Sequence, residues 1–195
     1  MNISHQRYST GRQDREGMKD QKACCIWLTG LSGAGKSTIA ELLEVLLRRE
    51  GRHTYILDGD NVRANLNSDL GFSIGDREEN IRRMAAVAHL MVDAGLIVIV
   101  ACIAPLKGQR EKARLLFESE QFFEVFVDAP IELCESRDIK GLYKKAREGL
   151  IINFTGIDSP YEVPEKPDIR IDTSLYTPSE SAMHVFREIQ GYCRS

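Results

Sequence analysis

The residues with the clearest chemical purpose are Gly30-Leu-Ser32-Gly33-Ala34-Gly35-Lys36-Ser37-Thr38, which fit the spacing GxxxxGK[ST]. Glycines at these intervals let the backbone curl so closely around an anion that several N–H groups point inward at a phosphate. Lys36 can then reach the β- and γ-phosphates of a nucleoside triphosphate, and the Ser37 hydroxyl can take a place on Mg²⁺. A glycine-rich turn that matches by chance is the bland alternative. Against it, the loop lies between an apolar strand and the start of an amphipathic helix, whose N-terminus adds partial positive charge.

A second constellation is Asp58-Gly59-Asp60, two carboxylates at the end of an apolar run. Strand ends on that side of an open α/β sheet face the ligand crevice. One carboxylate there can hold a metal's water shell while the other takes a proton from an acceptor hydroxyl. An Asp-Gly turn whose Asp caps the next helix would read the same way, and either carboxylate suits either task. The guanine-recognition tetrapeptide NKxD is missing from the chain, and the apolar run at 96–103 reaches Ala104-Pro105 without the usual metal-binding Asp. A GTPase is therefore disfavoured.

These groups need a scaffold, and the hydrophobic pattern supplies one. Short apolar runs at 24–29, 53–58, 96–103, 122–128 and about 169–172 alternate with helical stretches at about 36–49, 76–94, 130–137 and 178–192. Ile39, Leu42, Leu43, Leu46 and Leu47 form the inner face of the first of these helices. Ile81, Met84, Ala85, Ala88, Met91 and Val92 do so for the second, with Asp76 as its expected N-cap. Such alternation predicts a three-layer α/β fold of the P-loop NTPase type, with helices on both faces of a mostly parallel sheet. The basic stretch 140–147 and the turn-rich segment after it lack a strong apolar period and read as a flap.

The chain has 195 residues, 43% of them hydrophobic, enough for one domain with a single core. A net charge of −3 gives no global attraction to nucleic acid or anionic membranes, so a small ligand is expected. Five cysteines without a CxxC pair read as reduced thiols. Residues 1–22 mix charges with Ser, Gly and Gln and read as a loose tail ahead of a domain over 23–195. The longest apolar run, at 96–104, falls short of the ~20 residues that span a bilayer, so no membrane association and a cytoplasmic location are expected.

Several blocks carry a more specific likeness. GLSGAGKST (30–38), LDGDNVRANLNSDLGFS (57–73), DREENIRRMAAVAHLMVDAG (76–95), RDIKGLYKKAREG (137–149) and FTGIDSPYEVPEKPD (154–168) together resemble the adenylylsulfate kinase family, over about residues 24–173. The resemblance implies transfer of the γ-phosphoryl group of ATP to the 3′-hydroxyl of adenosine 5′-phosphosulfate (APS), with Mg²⁺. It implies that Asp60, Arg63, Phe72, Arg77, Asn80, Ile103, Lys144 and Phe154 contact APS, the acceptor adenine lying between Phe72 and Phe154. An aromatic pair offers an adenine two flat faces, and arginine forks match phosphosulfate oxygens. The resemblance also implies a lid over about 138–160 that brings Lys140, Lys144 and Arg147 to the phosphates, and Arg137 near the ATP adenine. Lys36, Asp60 and Lys144 are the expected catalytic groups, with Ser37 and Asp60 at the metal. A homodimer and a functional link to a separate ATP sulfurylase are further expectations.

One departure stands out. Many members of that family carry a serine, associated with a phosphorylated enzyme form, where this chain has Ala104. Direct transfer in a ternary complex is the expectation that follows. Two other readings remain open on the residues alone: a P-loop kinase for another nucleotide, nucleoside or sugar acid, and a nucleotide-binding subunit without catalysis.

Overall fold

The computed structural model describes residues 6, 8–138 and 140–194. Five strands form one sheet: β1 (Cys25–Thr29), β2 (Thr54–Asp58), β3 (Ile97–Ala101), β4 (Phe122–Asp128) and β5 (Ile169–Asp172). Their order is β2-β3-β1-β4-β5, and every neighbouring pair is parallel. Leu28 and Asp58 both lie in register with Ala101, and Thr29 with Phe126, so the C-terminal ends of the central strands arrive level at one edge. The chain leaves β1 toward β2 on one side and reaches β4 on the other, which opens a crevice at that edge.

Alternation along the buried strands builds two cores. Ile26, Leu28, Ile97 and Ile99 face α2 (Lys36–Arg49) and α8 (Pro178–Cys193), meeting Ile39, Leu43, Val185 and Ile189. Cys25, Trp27, Val98 and Val100 face the opposite way, meeting Ile81, Met84 and Ala88 of α4 (Ile74–Asp93) and Ala113 of α5 (Lys107–Arg114). Helices on both faces of a parallel sheet confirm the expected three layers. Within the predicted helical faces Leu42, Leu46 and Met91 are only partly buried, flanking their cores.

Three local expectations need correction. The segment 1–22 holds a helix, α1 (Arg12–Lys19), although residues 1–5 and 7 lie outside the described ones. No residue of α1 is buried, so apolar patterning could not reveal it. Polar contacts fix it instead: Arg15 donates to the Asp93 carboxylate at 2.7 Å, Lys19 to Ala94 O at 3.0 Å and the Ala23 N–H to Glu16 at 2.8 Å. Next, α4 begins before Asp76, with the Ser73 hydroxyl as N-cap accepting from the Asp76 N–H. Finally, the basic stretch forms a short helix, α7 (Leu142–Arg147), because Asp138 accepts from the Leu142 N–H at 2.8 Å and Tyr143 and Ala146 are buried. Helix α3 (Gly59–Ala64) follows β2, and α6 (Ile131–Ser136) follows β4.

Candidate active site

The phosphate loop leaves β1 pressed against its neighbours. A Cβ on Gly30 would lie 2.3 Å from Val127 O, and one on Gly33, at φ +76°, 2.8 Å from Cys134 O; only glycine fits at either place. Inside the curl the Lys36 ammonium donates to Gly30 O at 2.9 Å and Leu31 O at 2.6 Å. Burial among these carbonyls lowers its pKa to about 8. Ser37 and Thr38, in the first turn of α2, stay exposed beside it.

The two carboxylates after β2 divide their partners. Asp58 caps α3 by accepting from the Asp60 N–H at 2.9 Å, and its other oxygen accepts the Ser37 hydroxyl at 2.7 Å. Asp58 is thus both the cap of α3 and a direct hydrogen-bond partner of the phosphate loop's Ser37. Asp60 forms an ion pair with Lys140, whose pKa is raised by that contact. Of the pair Ser37 and Asp60 expected at a metal, the structure brings Ser37 to Asp58 rather than to Asp60.

Across the crevice, Arg63 of α3 donates to Gly71 O at 2.8 Å and lies 4.7 Å over the Phe72 ring. Arg77 of α4 donates to Phe72 O at 3.0 Å, to Thr155 Oγ1 at 2.8 Å and to Asn153 O, so one guanidinium ties together the segments carrying the two phenylalanines. Burial lowers the pKa of both arginines, yet a guanidinium keeps its charge. The rings themselves are unequal. Phe72 is 64% exposed, whereas Phe154 is 8% exposed and edge-on to Tyr143, their centroids 4.9 Å apart. Of the expected adenine sandwich, Phe72 is open and Phe154 presents only a margin. Asn80 lies in the buried layer, where its Oδ1 accepts from Asn67 at 3.0 Å.

Ile103 O accepts the Thr29 hydroxyl at 2.6 Å, fixing the backbone at the crevice floor. Ala104 follows at φ +41° and 1% exposure, its carbonyl accepting from Arg110 at 2.8 Å. Arg110 of α5, itself 3% exposed, also donates to Glu124 at 2.8 Å and Glu162 O at 2.8 Å. Tyr161 completes this group through a hydrogen bond to Thr29 at 3.0 Å. Sequence reading did not single out Thr29, Arg110, Tyr143, Tyr161 or Glu162. Tyr143 lies within RDIKGLYKKAREG, and Tyr161 and Glu162 within FTGIDSPYEVPEKPD, but Arg110 sits in the charged run KGQREKAR and offers no apolar signal. Arg137 donates to Thr173 Oγ1 and O, at 3.1 and 2.8 Å, beside the end of β5. Lys144 is exposed on α7, and Arg147 pairs with Glu135.

With this geometry in place, comparison with known proteins is specific. A family model described as adenylylsulphate kinase matches residues 22–172. An adenylyl-sulfate kinase of Marinobacter nauticus is 58% identical over 179 residues, 92% of this chain and 90% of its own length. The structure of the Mycobacterium tuberculosis APS kinase CysC in complex with AMPPNP and APS is similar with a TM-score of 0.83 and 48% identity, covering 87% of this chain and 98% of that one. A hexameric APS kinase from Thiobacillus denitrificans is 33% identical with a TM-score of 0.68, covering 90% of this chain and 31% of that one.

Proposed function

The chain belongs to the adenylylsulphate kinase family, and from that premise we propose how its own residues carry the reaction. It transfers the γ-phosphoryl group of ATP to the 3′-hydroxyl of APS, giving 3′-phosphoadenosine 5′-phosphosulfate. The observation behind the assignment of roles is the 2.7 Å bond from Ser37 to Asp58, which joins the phosphate loop to the carboxylate pair at the neighbouring strand end.

In this reading the loop N–H groups and Lys36 bind the β- and γ-phosphates, the ammonium exchanging Gly30 O and Leu31 O for phosphate oxygens. Asp60 takes the proton of the acceptor 3′-hydroxyl as the new O–P bond forms; the old bond breaks with its electron pair on the β-phosphate oxygen of ADP. Lys140 now holds the Asp60 carboxylate, so Asp60 becomes free as the more highly charged phosphates draw Lys140 away. Lys144, on the short helix α7 that follows Lys140, adds positive charge where negative charge spreads over the transferring oxygens. Arg63 and Arg77 bind phosphosulfate oxygens, Phe72 stacks on the adenine, Ile103 and the Phe154 margin close the pocket, and Asn80 supports it from below. Arg137 sits against the adenine of ATP.

The donor set fits Mg²⁺. Among the described residues no three His, Cys, Asp or Glu side chains gather as a metal cage, while the Ser37 hydroxyl and the Asp58 and Asp60 carboxylates offer hard oxygens. Mg²⁺ is ordinarily held by one or two such groups together with water and substrate phosphates. Bound there by Ser37 and one of these carboxylates, it would withdraw charge from the β,γ-bridge. Ala104 has no hydroxyl and is closed off from solvent, which supports direct transfer between the two bound nucleotides.

Assembly as a homodimer, a functional link to a separate ATP sulfurylase and a cytoplasmic location belong to the same proposal. The hexameric relative supports self-association, and no described helix is long and apolar enough to cross a membrane. The role of Asp60 is tested by Asp60→Asn, expected to lower kcat about 10²–10⁴-fold with the KM for ATP little changed. Near-normal turnover would remove Asp60 from that role.

A further inference from the structure

One buried side chain touches both the phosphate loop and Phe154. Tyr143 of α7 sets its ring edge-on to Phe154, at 4.9 Å and 74°, while its hydroxyl donates to Ser32 O at 2.9 Å. A second contact runs beside the first. Gly156, at φ +92°, leaves so little space that a Cβ there would lie 3.0 Å from Leu31 Cδ2, so the Leu31 side chain is seated against the segment that carries Phe154. Leu31 also supplies one of the two carbonyls holding Lys36. Two consecutive loop residues therefore bear on residues 154–156, and Thr155 in turn receives Arg77 at 2.8 Å.

We propose that Tyr143 is a positioning residue that couples the two substrate sites, so that occupancy of the phosphate loop changes the affinity for APS and the reverse. When triphosphate draws Lys36 from Leu31 O, the peptide joining Leu31 to Ser32 loses the cation that orients it, next to the Ser32 carbonyl that holds Tyr143. A buried tyrosine hydroxyl keeps its acceptor, since leaving it unpaired is costly, and the Tyr143 ring consequently moves with the loop. Phe154 packs on that ring and shifts with it. This inference rests on the assignment of Phe154 to the acceptor pocket.

Calorimetry tests it with the intact chain, measuring the Kd of APS with and without a non-hydrolysable ATP analogue and Mg²⁺, and the Kd of the analogue with and without APS. Linkage requires the two ratios to be equal. Tyr143→Phe keeps the ring and removes the hydroxyl; it should bring the ratio at least about threefold closer to one, with each single-ligand Kd shifting less than about twofold. Leu31→Ala, which withdraws the other contact, should also bring the ratio closer to one. A wild-type ratio of one, or a ratio that Tyr143→Phe leaves unchanged, overturns the proposal. Phe154→Ala separates this from the underlying assignment: an unchanged APS affinity in that variant shows that the pocket is elsewhere, whereas weakened APS binding with full coupling in Tyr143→Phe rejects the coupling alone.

Discussion

Lys36 shows how burial acts on a single residue assigned to the nucleotide phosphates. Its ammonium is enclosed by Gly30 O and Leu31 O, which stabilise the charge less well than water, and its pKa falls to about 8. Phosphate oxygens favour the protonated form strongly, so above pH 8 the nucleotide must bind together with a proton. The affinity for ATP should accordingly weaken up to about tenfold per pH unit above pH 8, a dependence that Lys36→Met, binding weakly throughout, should lack. Titration calorimetry between pH 7 and 9.5 measures it, and equal slopes in both proteins would contradict the assignment. At this scale the phosphate loop was legible in the sequence because its chemistry demands fixed residue types at fixed spacing. Arg110 was not, because a cation buried by its partners looks the same in sequence as one facing water; only Glu124, Ala104 and Glu162 brought around it distinguish the two.

Helix α1 makes the corresponding point for elements. It is anchored by Gln21, a buried amide that donates to His53 O at 3.1 Å and Gly95 O at 2.8 Å and accepts from the His53 N–H at 2.8 Å. Gly95, at φ +82°, allows α1 to lie close: a Cβ there would stand 3.0 Å from the Arg15 backbone. Gln21→Ala strands the Gly95 carbonyl and the His53 N–H, His53 O keeping the Ile97 N–H, and should destabilise the chain by about 2–3 kcal/mol in urea unfolding. A loss under about 0.5 kcal/mol would mean that the amide does not anchor the segment. Strands β1 and β3 were readable as continuous apolar runs because parallel strands are buried on both faces. Helices α1 and α5 were missed because polar bonds hold them, and the start of α4 was misplaced by one turn because Ser73 and Asp76 both have capping chemistry.

At the level of the whole molecule, the sheet order explains why distant motifs converge. Placing β1 between β3 and β4 and β2 outside β3 brings the phosphate loop, Asp58 and Ile103 to one edge, where α3, the start of α4 and residues 153–162 surround the proposed acceptor site. The alternation of strands and helices predicted a parallel sheet, but strand order depends on where each crossover lands, which local pattern does not encode. Arg77 and Tyr161 close the crevice by tying segments far apart in the chain.

The most direct measurement is a crystal structure of the chain with a non-hydrolysable ATP analogue, Mg²⁺ and APS. The account predicts APS between Phe72 and residues 153–162, its ribose 3′-oxygen in line with the terminal phosphorus and about 2.6–3.2 Å from the Asp60 carboxylate, with Lys140 turned to the phosphates. APS bound outside that crevice, or Asp60 still held by Lys140 with both nucleotides in place, would contradict it.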